Sequence, residues 1–304
     1  MATFILCPGQ GAQHVGMGKD FFDTFPESRE IFSRANQVLG FDLTRICFEG
    51  PEERLTQTDI SQPAIFVTSV ACYVAAKARN KLGDGPFEFA GLSLGEYTAL
   101  HLAGVMSFED GLKLVAARGR YMQEAASAVP STMVAVMGAD ESQVTALCEQ
   151  QSQGEVLVPA NFNAPGQIVV SGSKSACARF AESASAAGFR AVPLQVAGAF
   201  HSPIMQPGAD KMAEELEKVK LVPPVFPVYS NVTAQRHTTV DSIRELLVQQ
   251  IIKPVRWEQT IAQVAHTADH RFFELAPGKV LTGLLKKQNR RADVTNLSTV
   301  EALQ

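Results

Sequence analysis

Short apolar runs alternate along the chain with longer segments whose apolar positions recur at helical spacing, the pattern of a fold that alternates strands and helices. Residues 3–7 form the first such run and predict a buried strand. A turn-rich segment follows at once, Pro8-Gly-Gln-Gly-Ala-Gln-His-Val-Gly-Met-Gly18. A strand that feeds a glycine-rich loop ahead of a helix points to an α/β layout. Helix-forming residues fill 63–78, the Gly83-Asp84-Gly85-Pro86 break ends them, and 87–91 reads as a second strand. A helix over 94–103 comes next. Ser107, with Asp110 three residues on, approximates a capping box for a further helix that runs to about Ala126.

The pattern changes character at Ala128-Val-Pro-Ser131. Strands are expected near 132–138, 155–161, 167–172 and 189–196, with a turn at Asn163-Ala-Pro-Gly166 and helices near 140–151 and 173–187. The order β-α-β-β-α-β is the split βαβ or ferredoxin-like arrangement, self-contained in about 70 residues. It predicts a small domain, 128–198, inserted into a larger α/β domain made of 1–127 and 199–304. After residue 200 the alternation resumes with a helix after Pro207, a strand around 227–231, helices near 240–252 and 258–266, a strand at 271–275 and a final helix from Gly278.

Composition narrows the classes. With 304 residues, 46% hydrophobic and 19% charged, the chain has room for a substantial core and lacks the bias of disordered, collagen-like or coiled-coil sequences. Its net charge of −4, from 27 Lys and Arg against 31 Asp and Glu, supplies no global positive field for nucleic acid or an anionic membrane. Five cysteines, at 7, 47, 72, 148 and 177, make no Cys-x-x-Cys pair, which argues against a disulfide framework and a zinc cage and favours a reducing compartment. The longest apolar stretch, 65–78, is interrupted by Thr68, Ser69 and Lys77, short of the roughly 18 unbroken residues of a membrane span. No basic residue precedes Lys19, and no signal-like apolar segment opens the chain. A cytoplasmic protein with no metal, nucleic-acid or membrane partner is expected, and nothing in the sequence demands more than a monomer.

The chemistry concentrates at Gly91-Leu92-Ser93-Leu94-Gly95, a G-x-S-x-G pattern set between a predicted strand and a predicted helix. A sharp strand-to-helix turn exposes the Ser hydroxyl at a helix N-terminus, where free N–H groups can stabilise an oxyanion. The plainer alternative is a glycine-bounded turn whose Ser only caps a helix. A Ser nucleophile needs a base. Of the six histidines, at 14, 101, 201, 237, 266 and 270, His101 lies more than two turns along the helix that Ser93 opens, and His237 sits among polar residues as in a solvated loop. His201 lies where the chain leaves the predicted insert, a place that faces an interdomain cleft.

A second signal is Arg118. Leu114, Met122 and Ala125 define an apolar stripe on the helix that follows Ser107, and Arg118 sits in its middle, four residues from Leu114 and from Met122. An unpaired buried guanidinium is unfavourable, so Arg118 snorkels, pairs with an acid of the protein, or binds a substrate carboxylate bidentately. Together with Ser93 these features suggest covalent transfer of an anionic acyl group.

The sequence resembles the malonyl-CoA:acyl carrier protein transacylases of fatty-acid synthesis and the related acyltransferase domains of polyketide synthases. The resemblance rests on Pro8-Gly-Gln-Gly-Ala-Gln13, Gln62-Pro63-Ala64, Leu92-Ser-Leu-Gly-Glu-Tyr97, Arg118-Gly119 with Met122-Gln-Glu124, and Asn161-Phe-Asn163 with Pro165-Gly-Gln167. Gly198-Ala-Phe-His-Ser202, Asn231-Val232, Pro254-Val255 with Trp257, and Gly278-Lys-Val-Leu281 extend it over nearly the whole chain.

The resemblance implies an α/β-hydrolase-like large domain carrying the ferredoxin-like small domain. It implies Ser93 as nucleophile, His201 as its base, Arg118 as partner of the malonyl carboxylate, and the N–H groups of Gln10 and Leu94 as the oxyanion hole. It further implies that the main-chain carbonyl of Gln250 orients the histidine in a Ser-His dyad, and that Gln62, Phe200 and Asn161 line the pocket. Phe200 before His201 is as in malonyl-selective members, where its bulk would crowd a 2-methyl group. Leu92 departs from the histidine usual in the family. The partners implied are malonyl-CoA and acyl carrier protein; thioester exchange is nearly balanced, so no cofactor is required. A free-standing acyltransferase serving a polyketide synthase, a malonate decarboxylase subunit, a serine esterase and a non-catalytic carrier-binding module are the alternatives. The basic run Lys286-Lys287 with Arg290-Arg291 is either a landing surface for an acidic carrier or, more plainly, a solvated helix end.

Overall fold

Among the residues described by the computed structural model, 2–265 and 270–304, eight strands form two sheets: β1 (Ala2–Cys7), β2 (Phe87–Gly91), β3 (Ser131–Met137), β4 (Leu157–Ala164), β5 (Gln167–Ser173), β6 (Arg190–Pro193), β7 (His270–Leu275) and β8 (Val294–Leu297). The first sheet is parallel throughout and runs β2-β1-β7-β8. In β1, Phe4, Ile5, Leu6 and Cys7 are all fully buried. That is the near-continuous apolar run of a strand covered on both faces. Alternate residues point to opposite layers. Ile5 and Cys7 join the main core with the helices Thr58–Ala78 and Phe108–Ala128, while Phe4 and Leu6 pack with Trp257, Leu281 and Leu285 on the other side.

The second sheet runs β4-β5-β3-β6 and is antiparallel throughout. The helices Glu141–Ser152 and Lys174–Ala186 cover one face, giving a separate small core of Val134, Val136, Val144, Ile168, Val170 and Phe180. From its opposite face Met133 and Val169 join the main core. The two sheets therefore meet across one cleft.

The structure departs from the sequence pattern in several places. The helix expected from residue 63 begins at Thr58 and carries Pro63 inside it. With that extension it is long and apolar enough to cross a membrane, but it is a core helix, buried along most of its length. Residues 227–231 form no ladder: Val228 bridges only to Phe89 and Tyr229 only to Arg236. Pro223, Pro224 and Pro227 remove N–H donors that a longer strand would need. The segment still runs beside β2, because Phe89 N–H donates to the Pro227 carbonyl and Tyr229 N–H to the Phe89 carbonyl. The Val280–Gln288 helix is not the last element, since β8 and a 3₁₀ turn, Val300–Leu303, follow it. His266 and the end of the helix expected over 258–266 lie outside the described residues; the described helix is Trp257–Ala262. Ser107 caps its helix by accepting from Asp110 N–H at 3.0 Å, and its hydroxyl donates to Asp110 Oδ2 at 2.7 Å, so the reciprocal bond closes through the hydroxyl and not the backbone.

The turn from β2 into the Gly95–Leu102 helix closes only because its flanking residues lack side chains. A Cβ on Gly91 would lie 1.9 Å from the Gly95 carbonyl carbon, and one on Gly95 would lie 2.1 Å from the Cys7 carbonyl oxygen. Gly283 is the opposite case, exposed in its helix with nothing within 4 Å of an added Cβ. Gly95→Ala is expected to lower unfolding free energy by about 3 kcal/mol, whereas Gly283→Ala raises it by about 0.5–1 kcal/mol. Urea melts of the two variants check both signs.

Candidate active site

Ser93 lies two residues past the end of β2 and adopts φ 52°, in the left-handed region that a non-glycine residue occupies only under restraint. Such a conformation costs about 1–3 kcal/mol and persists where neighbours fix it. Here Asn231 fixes it from the segment that runs beside β2: its Oδ1 accepts from Ser93 N–H at 2.6 Å and its Nδ2 donates to the Gly91 carbonyl at 2.7 Å. The first turn of the following helix is tight, with Gly95 N–H bonded to the Leu92 carbonyl and Glu96 N–H to the Ser93 carbonyl. The N–H groups of Gln10 and Leu94 donate to no acceptor among the described residues.

His201 comes from the chain leaving the second sheet and is also left-handed, at φ 55°. The Ser171 hydroxyl holds the preceding carbonyl, that of Phe200, at 2.5 Å. The imidazole is buried between two partners. Nδ1 lies 2.6 Å from the Gln250 carbonyl, and Nε2 lies 2.8 Å from Ser93 Oγ. A carbonyl only accepts, so Nδ1 carries the proton, Nε2 presents its lone pair, and Ser93 Oγ donates to it. The availability of that carbonyl has a local cause. Gln250 lies in the Val240–Ile252 helix, and the residue four positions on, whose N–H would normally bond it, is Pro254. Burial, reinforced by the nearby Arg118 guanidinium, pushes the His201 imidazole down to about 3, although its bond to Gln250 works the other way. His201 is therefore neutral at physiological pH.

Arg118 does not snorkel. It is 1% exposed, and its hydrogen-bond acceptors are all neutral: Gln62 Oε1 at 2.7 Å from Nη1, and Gln250 Oε1 at 2.9 Å and Ser93 Oγ at 3.0 Å from Nη2. Nε has no partner. Among the described residues no carboxylate lies within ion-pair distance of it. Gly119 lets this part of the helix approach the start of the Thr58–Ala78 helix, since a Cβ there would lie 2.4 Å from the Thr58 carbonyl oxygen.

A cavity of about 610 Å³ opens onto Ser93 and His201 between the two sheets. Gln10, Leu92, Asn161 and Phe200 line it, as do Met133 and Val169 from the second sheet. Its other polar lining consists largely of neutral amides, including Gln13, Gln123, Gln195 and Asn163. Gln62 and Gln250 lie behind this wall, fully buried; Gln62 reaches the site through Arg118, and Gln250 through Arg118 and its own bonds to His201 and Ser93. Among the described residues no group of three or more His, Cys, Asp or Glu side chains gathers as a metal site would.

The remaining histidines sit elsewhere. His14 is exposed, His101 bonds the Met106 carbonyl and packs against Phe66 and Phe108, and His270 packs against Phe4 and Phe272. His237 corrects the sequence reading. It is not solvated: its side chain is fully buried and its Nε2 lies 2.8 Å from Glu96 Oε1. Polar sequence neighbours misled because its own N–H bonds the Val228 carbonyl, turning the ring inward beneath the Ser93 turn. Asn231 and Glu96, both fully buried, also belong to the site although no role was read for them. Lys286 folds back onto the Ala292 carbonyl at 2.6 Å, while Lys287, bonded to Gln167, stays exposed together with Arg290 and Arg291.

A family model described as acyl transferase domain matches residues 3–304. A malonyl CoA-acyl carrier protein transacylase of Escherichia coli K12 is 42% identical over 281 residues, covering 92% of this chain and 90% of the relative. That of Bacillus subtilis is 39% identical over 98% of this chain and 94% of its own. Among solved structures, the malonyl CoA-acyl carrier protein transacylase of Coxiella burnetii superposes with a TM-score of 0.96 at 36% identity, covering 100% of this chain and 96% of that one. A malonyl-transacylase in complex with its type II polyketide synthase acyl-carrier protein gives 0.95 at 38%, covering 100% and 98%. A serine held against a histidine at a glycine-bounded turn, and a family match over nearly every residue, lead to one assignment: the chain belongs to the acyl transferase domain family.

Proposed function

We propose that this enzyme moves a malonyl group from malonyl-CoA to the phosphopantetheine thiol of acyl carrier protein through an ester on Ser93. The observation that carries the reading is Arg118, a buried guanidinium with neutral acceptors only and its Nη2 3.0 Å from Ser93 Oγ. A guanidinium held that way has no anion in direct contact and is ready to take one, and the free carboxylate of a malonyl thioester is an anion a few atoms from the reacting carbonyl. A serine esterase of neutral substrates has no use for it. The names of the relatives point to the same substrate and carrier.

In the first half-reaction His201 Nε2 takes the Ser93 proton as Oγ attacks the thioester carbonyl carbon. The new Oγ–C bond makes an oxyanion that the N–H groups of Gln10 and Leu94 receive. The C–S bond then breaks, and the His201 proton passes to the departing CoA thiolate. The carrier thiol enters by the reverse sequence, its proton passing through His201 to Ser93. Gln250 orients the imidazole by its carbonyl, Gln62 aligns Arg118, and Phe200 and Asn161 shape the acyl pocket. Leu92 puts an apolar side chain on the cavity wall where the family usually has histidine. The solved complex with a polyketide acyl-carrier protein makes polyketide synthesis the second reading of the pathway beside fatty-acid synthesis.

The same reading divides the chain into an α/β-hydrolase-like large domain, 1–127 and 199–304, and a ferredoxin-like small domain, 128–198. The parallel first sheet supports the former, and the order β4-β5-β3-β6 with two helices on one face supports the latter. Five buried, unpaired thiols support a reducing, cytoplasmic setting.

Two outcomes are expected. Arg118→Ala lowers the efficiency of Ser93 acylation by malonyl-CoA about 100- to 1000-fold, or about 3–4 kcal/mol, and lowers acylation by neutral acetyl-CoA far less. Equal losses with both thioesters would contradict the clamp. The pH dependence follows from the depressed His201. Only the neutral imidazole accepts the Ser93 proton, so malonyl-CoA acylation efficiency stays nearly flat from pH 7 to pH 5, where an ordinary histidine would lose roughly twentyfold. Over the same window the unfolded chain binds the proton that the folded site refuses, so His201's contribution to stability falls as pH drops below about 6.5. An acid limb centred near the ordinary histidine value in a rapid-quench profile would contradict the assignment of the base.

A further inference from the structure

We propose that Glu96 is a positioning residue for this site and the internal counter-charge of Arg118, acting through the side-chain amide of Gln250. The inference rests on Arg118 receiving the malonyl carboxylate. Glu96 is fully buried, two residues beyond the Leu94 N–H, and every bond to its carboxylate comes from a neutral or imidazole donor. Oε2 accepts from Gln250 Nε2 at 2.6 Å and from Asn231 N–H at 3.0 Å, and Oε1 lies 2.8 Å from His237 Nε2.

Two of these bonds reach the reacting atoms by one further step. Asn231 holds the Ser93 N–H, and Gln250 Nε2 also donates to the Ser93 carbonyl at 2.9 Å. The Gln250 amide then points its oxygen at Arg118 Nη2, so that guanidinium, amide and carboxylate stand in line, each donating to the next. A cation and an anion linked through one amide attract each other in a medium of low polarity while leaving the cation without a direct carboxylate partner. That arrangement makes a buried arginine tolerable and still leaves it able to bind an incoming anion.

His237 completes the network through its Nε2. Among the described residues its Nδ1 is buried without a partner. An imidazolium would bury an unpaired charged N–H there, whereas the neutral Nε2–H form leaves only an unpaired lone pair.

Rapid-quench acylation of Ser93 by malonyl-CoA separates the dissociation constant from the acylation rate and tests both parts. Glu96→Gln keeps the shape: the new amide oxygen serves Asn231 and Gln250, and its NH₂ faces His237 in the other tautomer. Loss of the negative charge should tighten malonyl-CoA binding about fivefold, and this tightening should vanish in an Arg118→Ala background. Glu96→Ala removes both anchors and should slow acylation about 100-fold. No tightening in Glu96→Gln, or tightening that persists without Arg118, overturns the counter-charge. Wild-type acylation by Glu96→Ala overturns the positioning role; if that variant does not fold, Glu96→Gln and its cycle still decide. The carboxylate reading fails separately, if Arg118→Ala alone keeps the preference for malonyl-CoA over acetyl-CoA.

Discussion

A guanidinium buried on an apolar helix face without a carboxylate beside it is the constraint on which this site depends. Water is excluded from Arg118, so its charge has to be met by oriented oxygens, and three elements supply them: Gln62 from one helix, Gln250 from another, and Ser93 from the turn after β2. Those contacts fix the relative placement of the three elements, and they place a positive charge within hydrogen-bond distance of a serine hydroxyl. The same charge helps keep His201 neutral. On the proposed reading one residue thus selects the anionic acyl group, steadies the nucleophile and keeps the base free of its proton.

Backbone geometry does the rest of the positioning. Ser93 and His201 both sit in the left-handed region, the first held by Asn231 on its own N–H and the second by Ser171 on the preceding carbonyl. The Ser93 turn closes against Cys7 because Gly91 and Gly95 present no side chain. The helix that orients His201 ends at a proline, which leaves the Gln250 carbonyl in need of a donor. On the proposed reading that carbonyl fixes the tautomer that an acidic residue would fix in a full triad.

Much of this was legible in the sequence because the relevant signals are local. The G-x-S-x-G turn, the arginine among apolar helix positions and the β-α-β-β-α-β order each depend on residues a few positions apart. What was not legible depends on residues brought together from afar. Asn231 and His237 look like loop residues until the proline-rich segment before them is seen to run beside β2 and turn them beneath Ser93. Glu96 lies within the motif, but its partners come from residues 231, 237 and 250. The Pro254 signal was present four residues beyond Gln250, although its meaning depends on knowing where the helix ends. β8 is not legible in the sequence because a four-residue strand carries too little alternation to stand out.

The central claim is that Ser93 carries the malonyl group between two thiols. Intact-mass spectrometry of the protein mixed with malonyl-CoA in the absence of carrier, followed by peptide mapping, tests it most directly. The account predicts a single malonyl adduct on the peptide containing Ser93, discharged on adding carrier with a phosphopantetheine thiol and absent from Ser93→Ala. An adduct that survives in Ser93→Ala, or one on Ser93 that water removes faster than the carrier thiol does, would contradict it.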